Sequence, residues 1–483
     1  MDATELCFAS ATELSALIRS RALSPVEVTE AVLARITRLN PTLNAYCTVT
    51  AEAALAEARL AEAAVSRGDA LGPLHGVPIS IKDLTATRGV RTTRGSRLYA
   101  DSLPDEDAPV VERVRAAGAI VLGKTNTPEF GWKGDTGNPL FGVTRNPWDS
   151  AHEASAGGSS GGAGAAVAAG LGPLALGTDG AGSIRIPASF CGVVGLKAQL
   201  WRVPTYPPSS VETLAHTGPM TRTVRDAALL LGVIAGPDER DRLSLPATGD
   251  DWLAACDVGI REPGRSVRRL RVAWSPDLGY AAVEPEIARI AAAAAARFAT
   301  DLGCTVEEAH PGFPDPRRAE LILFYTGVLA NVADLPTERR ALIDPDLARA
   351  LEEETTGLTA LDYVRANAVR QGVWDAVRRF FGIYDLLLTP SVAVSPFRAG
   401  EEGPRGDAGG AGGRFGWTPF TYPFNLSGNP ALSIPAGFTA AGLPVGLQLV
   451  GRRFDEATVL RAGSAFEAVQ PWAHVRPPGL DGG

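Results

Sequence analysis

The 483-residue sequence predicts a large α/β protein. Two observations carry the class. Short β-branched or apolar runs recur along the chain in the manner of strands buried on both faces. Between them stand stretches with helical caps and 3.6-residue periodicity. A third observation removes the alternatives: 45% apolar and 21% charged residues with no repeat period exclude disorder and fibre and supply a sizeable core. The length suits two to four domains or one large sheet.

The elements follow in chain order. Ser24-Pro25-Val26-Glu27 joins an N-cap, a first-turn proline and a capping-box glutamate, and Val28, Val32, Ile36 and Leu39 then share one face. Asn40-Pro41 is expected to end that helix. An Ala/Glu-rich helix over 51–67 is stopped by Gly68. Strands at 77–81 and 119–122 flank an amphipathic helix over 110–117, as in a parallel crossover. The pattern continues with strand 174–176, helix 224–234 behind Thr223, strand 270–274, helix 285–302, strands 384–388 and 445–450, and helix 456–468. Two stretches break it. Residues 154–172 form a Gly/Ser/Ala tract whose small side chains let backbone approach backbone or ligand. Residues 399–416 hold eight glycines in eighteen and are expected to be a mobile loop, a lid or a plain connector.

A net charge of −8 with both signs interspersed gives no footprint for nucleic acid or an anionic membrane. Asp2, Glu5 and Glu13 stand where an export signal needs positive charge, and the uncharged stretch 154–178 is too rich in Gly and Ser to span a bilayer. Five scattered cysteines (Cys7, Cys47, Cys191, Cys256, Cys304) without a C-x-x-C pair fit reduced thiols in a cytoplasmic protein. The five histidines do not cluster with them, so no metal site is expected.

Two motifs mislead. Residues 118–125 match the phosphate-loop pattern G-x-x-x-x-G-K-T, but Ala119 to Leu122 read as a buried strand, with Lys124 at its end solvated or paired. Gly157-Gly158-Ser159-Ser160-Gly161 matches the nucleophile elbow of a Ser-His-Asp α/β-hydrolase. The residues before it read as loop rather than strand, and His216, His310 and His474 lie in uninformative contexts.

The tract leads instead into residues 177–188, directly after a strand. Gly180, Ala181 and Gly182 leave their amides unobstructed, so successive N–H groups can converge on an oxyanion beside the Ser183 hydroxyl. Asp179 and Arg185 flank the turn and are suited to pair across it. No histidine lies near in sequence, whereas Lys82 ends strand 77–81, where open α/β sheets place ligands. A lysine serves as base only when neutral, which burial favours and Asp83, if close, would oppose.

These residues resemble the amidase signature family. The resemblance rests on residues 158–162, 177–179 and 182–188, on Gly76-Val77-Pro78 and Lys82-Asp83, and on segments 123–130, 217–223 and 442–448. It implies one domain over 1–483, a single large mixed twisted sheet covered on both faces by helices. The signature core spans about 75–200 and a variable substrate-facing region about 237–380. It further implies a triad with Ser183 as nucleophile, Ser159 as the cis bridging serine and Lys82 as base. Ser160, Asp179 and Arg185 support it, and the amides of Gly180, Ala181, Gly182 and Ser183 form the oxyanion hole. Ala181 stands where many members have glycine, which bears on acyl-pocket size. The activity implied is hydrolysis of a small-molecule amide, anilide or carbamate through an acyl-Ser183 intermediate, without cofactor and without nucleic-acid or membrane partners. A homodimer is the default expectation. Phe130, Trp132, Phe324, Tyr325, Trp374, Phe415 and Trp417 are candidate pocket walls. The rival from another class is the glutaminase component of a tRNA-dependent amidotransferase, which would need partner chains.

Overall fold

The computed structural model describes residues 1–404 and 413–480. Its strands are β1 (Tyr46–Val49), β2 (Pro78–Lys82), β3 (Ile120–Thr125), β4 (Gly137–Asn138), β5 (Gly142–Val143), β6 (Leu174–Asp179), β7 (Val194–Lys197), β8 (His216–Thr221), β9 (Arg271–Trp274), β10 (Thr305–Glu308), β11 (Leu386–Pro390), β12 (Ala431–Phe438) and β13 (Pro444–Gly451). β4 and β5 pair with each other. The others form one eleven-stranded mixed sheet in the order β1-β3-β2-β6-β8-β7-β12-β13-β11-β9-β10. β2 runs parallel to β3 and β6, β9 runs parallel to β10 and β11, and antiparallel pairings join these two groups.

Side-chain alternation buries both faces of this sheet. Leu386 and Leu388 point with Ile79, Ile81, Leu174 and Leu176 into a core closed by helices Val224–Ile234, Pro285–Thr300 and Glu456–Val469. Leu387, Ala431 and Val450 point the other way, against helices Arg317–Ala330 and Ala360–Phe380. Ile120, Leu122 and Ala175 meet helix Gly161–Ala168. This double burial makes the strands read as continuous apolar runs rather than alternating ones.

Several expectations change. The first long helix runs Pro25–Leu43, through Pro41, and ends at Asn44 in the left-handed region. Pro41 sits in the final turns, and Asn40 secures the exit by exchanging hydrogen bonds with the backbone of Tyr46. The Gly/Ser/Ala tract contains a helix, Gly161–Ala168, every residue of it buried. The strand expected at 119–122 continues through Lys124, which is fully buried and donates to Thr85 O, Thr87 Oγ1 and Thr92 Oγ1. Lys124 is therefore not solvated, and the phosphate-loop pattern is a strand. Of the loop expected to be mobile at 399–416, residues 405–412 lie outside the described residues. Its flanks are tied down: Gly400 N–H donates to Asp135 Oδ2 (3.1 Å), and buried Arg414 donates to Glu402 and Glu353. No helix among the described residues is long and apolar enough to cross a membrane.

Candidate active site

Lys82 occupies the last position of β2 and is completely buried. Strand alternation turns Asp83 to the opposite side, where its carboxylate accepts the Thr93 amide (3.0 Å) and hydroxyl (2.5 Å). The opposition expected from a close Asp83 is thus absent from Lys82's surroundings. Lys82 Nζ faces three hydroxyl oxygens: Ser159 at 2.7 Å, Ser160 at 2.8 Å and Thr178 at 2.9 Å. Burial lowers its pKa well below the ordinary lysine value, against a smaller raising influence from Asp179.

The two serines differ in what they can do. Ser160 Oγ donates to Thr178 O (3.1 Å) and accepts the Thr178 amide (3.2 Å) as well as Lys82. Its proton is committed. Ser159 Oγ accepts from Lys82, its hydrogen-bond partner among the described residues, and faces the cavity that Ser183 also lines. The Gly158-Ser159 peptide is cis. A Cβ on Gly158 would lie 2.6 Å from the Asp135 backbone, so only glycine allows this close passage. Ser160 N–H donates to Ser183 O (3.2 Å), which fixes the serine pair against the turn after β6.

That turn is held by a buried ion pair. Arg185 grips Asp179 through Nε and Nη2, both at 2.9 Å, and also reaches Thr421 O, Gln448 and Asn425. Burial would raise the Asp179 carboxyl, but Arg185, then Lys197 and His216, overcome it and hold it far below the ordinary range. Gly182, at φ 127°, turns its amide onto Asp179 Oδ1 at 2.8 Å. It is therefore spent on the turn, contrary to the expectation of four converging amides. The amides of Gly180, Ala181 and Ser183 have no intramolecular acceptor among the described residues.

Residues 27–460 match the sequence model of the family described as Amidase. The chain belongs to the amidase signature family. It is 42% identical to an acylamidase of Rhodococcus erythropolis, over 99% of this chain and 98% of that one. It is 40% identical to a glutamyl-tRNA(Gln) amidotransferase chain of Moorella thermoacetica, over 98% and 99%. Among solved structures, a bacterial aryl acylamidase of the amidase signature family superposes with a TM-score of 0.88 at 33% identity, covering 96% of this chain and 97% of that one. A 6-aminohexanoate cyclic dimer hydrolase complexed with substrate gives 0.87 at 32%, covering 98% and 100%. Membership makes this chain an amidohydrolase of non-peptide carbon–nitrogen bonds.

In this amidase two cavities meet at Ser183. The larger, about 180 Å³ and open to solvent, is lined by Ser159, Thr178, Gly180 and Ser183 together with Phe130, Phe324, Tyr206 and Arg94. The smaller, a narrow recess of about 10 Å³, is lined by Trp132, Ala181, Ser183, Ile186, Phe324, Phe415 and Thr418. Phe130, Trp132 and Phe415 thus border a cavity beside Ser183. Tyr325 and Trp417 border a separate pocket with Lys133 and Arg414. Trp374 borders none of these cavities: it is half-buried on helix Ala360–Phe380 with Arg453 over its ring.

Sequence reasoning misses Thr178 as a Lys82 partner, whereas Phe324, a candidate wall, borders both cavities. Nothing in the pattern marks Thr178 apart from its place on the strand leading to Ser183. His216 does line the large cavity, yet both ring nitrogens are occupied, Nδ1 by Leu214 O (2.8 Å) and Asp179 O (3.2 Å), Nε2 by Lys197 Nζ (3.3 Å). Burial and the adjacent Lys197 push its pKa well down, so it offers no relay for a Ser-His-Asp mechanism.

Proposed function

We propose that this amidase cleaves acyl amides by a Ser183–Ser159–Lys82 relay. The observation that carries it is Lys82, buried and surrounded by hydroxyls rather than carboxylates, 2.7 Å from the one serine whose proton is uncommitted. A neutral amine has two N–H groups and one lone pair. Ser160 and Thr178 accept the two N–H groups, and the lone pair receives the Ser159 proton.

Ser159 then takes the Ser183 proton as Ser183 Oγ bonds to the substrate's acyl carbon. The carbonyl oxygen becomes an oxyanion against the amides of Gly180, Ala181 and Ser183, each such donor contributing roughly 3 kcal/mol. When the C–N bond breaks, Ser159 protonates the leaving nitrogen and is replenished from the Lys82 ammonium, so a neutral amine departs. Water, deprotonated by the same relay, attacks the acyl-Ser183 ester and releases the acid.

This proton path orients the substrate. The leaving nitrogen must lie beside Ser159, which lines the large cavity and not the small one. The amine half therefore occupies the large cavity, bounded by Phe130 and Phe324, and suits an aryl group. The acyl substituent enters the small cavity, where the Ala181 methyl and Ile186 restrict it to short chains. The substrates are accordingly short-chain acyl anilides and related amides.

A fluorophosphonate should label Ser183, and the purified chain should hydrolyse a neutral anilide unaided. Label on Ser159 instead would refute the assignment of roles. Turnover of glutamine alone, and only with added partner chains, would favour the amidotransferase reading that the 40% identical Moorella relative keeps open.

A further inference from the structure

The large cavity contains a cation that no carboxylate among the described residues neutralises. Arg94 lines it together with Ser159, Ser183 and Phe130. Its backbone is fully engaged: the amide donates to Asp83 O at 3.0 Å, and its carbonyl accepts the Phe130 amide at 2.9 Å. That second bond ties Arg94 to the residue whose ring walls the substrate space. The side chain is different. The guanidinium lies over the Tyr99 ring at 4.7 Å, and Tyr99 in turn meets Phe130 edge-on at 6.1 Å. Stacking fixes the plane of the guanidinium and leaves its edge, where all five N–H donors lie, without a carboxylate, carbonyl or hydroxyl acceptor among the described residues.

The neighbouring arginines behave otherwise. Arg91 donates to Ala100 O at 2.5 Å and Arg97 to Pro139 O at 3.4 Å. The cavity's own charges also fail to answer Arg94. Asp179 is consumed by Arg185, and no other acidic residue among the described residues lines the space. Glu106 and Asp105 act on the Tyr206 hydroxyl, raising its pKa, but neither borders the cavity. With Lys82 and His216 both held toward their neutral forms, the cavity presents one positive charge among the described residues, on a planar fork.

We infer that Arg94 is a specificity residue that binds a carboxylate carried on the amine half of the substrate, so that acylated aminobenzoates and similar acidic anilides are preferred over neutral ones. The inference rests on the orientation proposed above, in which the amine half fills the large cavity. A guanidinium fork matches a carboxylate in bidentate fashion, and charge-assisted bonds of this kind are worth roughly 1.5–3 kcal/mol, a factor of about 10 to 100.

The test compares 4-acetamidobenzoate and its 3-isomer with the corresponding neutral benzamides, in the wild type and in Arg94→Gln and Arg94→Lys. The wild type should favour the acids. Arg94→Gln should raise KM for the acids about 10- to 100-fold, change the benzamides less than about threefold, and leave kcat nearly unaltered, while Arg94→Lys recovers part of the loss. A second readout avoids the variants: 4-aminobenzoate should inhibit wild-type hydrolysis of a neutral anilide more tightly than 4-aminobenzamide, and added salt should weaken only the former. Equal losses on acids and benzamides, or equal inhibition by the two amines, would overturn the inference. Neither result touches the relay, whose failure would appear as absence of Ser183 labelling and of neutral-anilide turnover in the wild type.

Discussion

Replacing Lys82 by Met tests the relay most directly. The unbranched side chain keeps the volume of a fully buried position and removes only the nitrogen that faces Ser159, Ser160 and Thr178. A positioned general base contributes about 10²- to 10⁴-fold, roughly 3–5 kcal/mol of barrier. Lowering the pKa multiplies this. At its ordinary value of 10.5 an amine is neutral only about once in a thousand molecules at pH 7.5, and each unit of lowering raises that fraction tenfold until the pKa passes the working pH. Burial is the cause of that lowering here, so the catalytic form is the deprotonated one. The sign follows: kcat/KM of the wild type rises with pH as Lys82 loses its proton, and it reaches its plateau well below pH 10.5. Measured on a neutral anilide from about pH 5.5 to 10, Lys82→Met should lose at least about 10²-fold at pH 7.5 together with that ascending limb. Lys82→Arg, permanently charged, should be equally inactive. Circular dichroism and thermal melting establish that each variant is folded. A folded Lys82→Met that keeps more than about a tenth of wild-type turnover, with the same limb, would refute the base assignment.

Ser159→Ala should reduce anilide turnover by at least about 10²-fold and ester turnover by much less, because an alkoxide leaves without the proton that nitrogen requires; equal losses in paired assays would deny Ser159 its relay role. Asp179→Asn leaves Arg185 buried without its charge partner and should cost about 3–5 kcal/mol in denaturant unfolding. Because the folded carboxyl is held below its ordinary value, the wild-type pair stabilises above about pH 4 and is lost as the pH falls through the folded value, so the variant's stability should vary less with acid pH. Ile186→Ala enlarges the small cavity and should shift the preference toward longer acyl chains by about fourfold per added methylene, in line with about 0.8 kcal/mol each; an unchanged acetyl-to-hexanoyl ratio would place the acyl group elsewhere.

The elements legible in the sequence are those whose local signals agree with the fold. Helix Ala51–Arg67 ends at Gly68, and helix Val224–Ile234 starts behind Thr223, because capping chemistry acts within a few residues. β8 is not legible: His-Thr-Gly-Pro-Met-Thr has neither β-branched density nor alternation, and its strand form comes from pairing with β6 and β7 on either side. Helix Ala360–Phe380 buries Ala366, Val373, Val377 and Phe380 but leaves Leu361, Tyr363, Val364 and Val369 exposed, so its apolar residues do not mark a single buried face. Lys82, Ser159 and Ser183 are reached through the family resemblance, since each alone is an ordinary lysine or serine. Thr178, the engaged Gly182 amide and the outlying Trp374 depend on where side chains turn in space, which spacing along the chain does not encode.

The Gly/Ser/Ala tract joins fold and site through one physical requirement. Helix Gly161–Ala168 has poor intrinsic propensity, with three glycines in eight residues, and persists because it is buried against β2, β3 and β6. Bulkier residues would make a better isolated helix but would push the loop before it away from the sheet. The Gly158 position already lies within Cβ-clash distance of Asp135, and the Gly161 position within clash distance of Thr136. That loop carries Ser159 and Ser160 onto the end of β2, where Lys82 is sealed from water. Sealing lowers the lysine's pKa, and proximity supplies the hydroxyl it acts on. The same small residues that weaken the helix therefore produce both conditions that a lysine base requires.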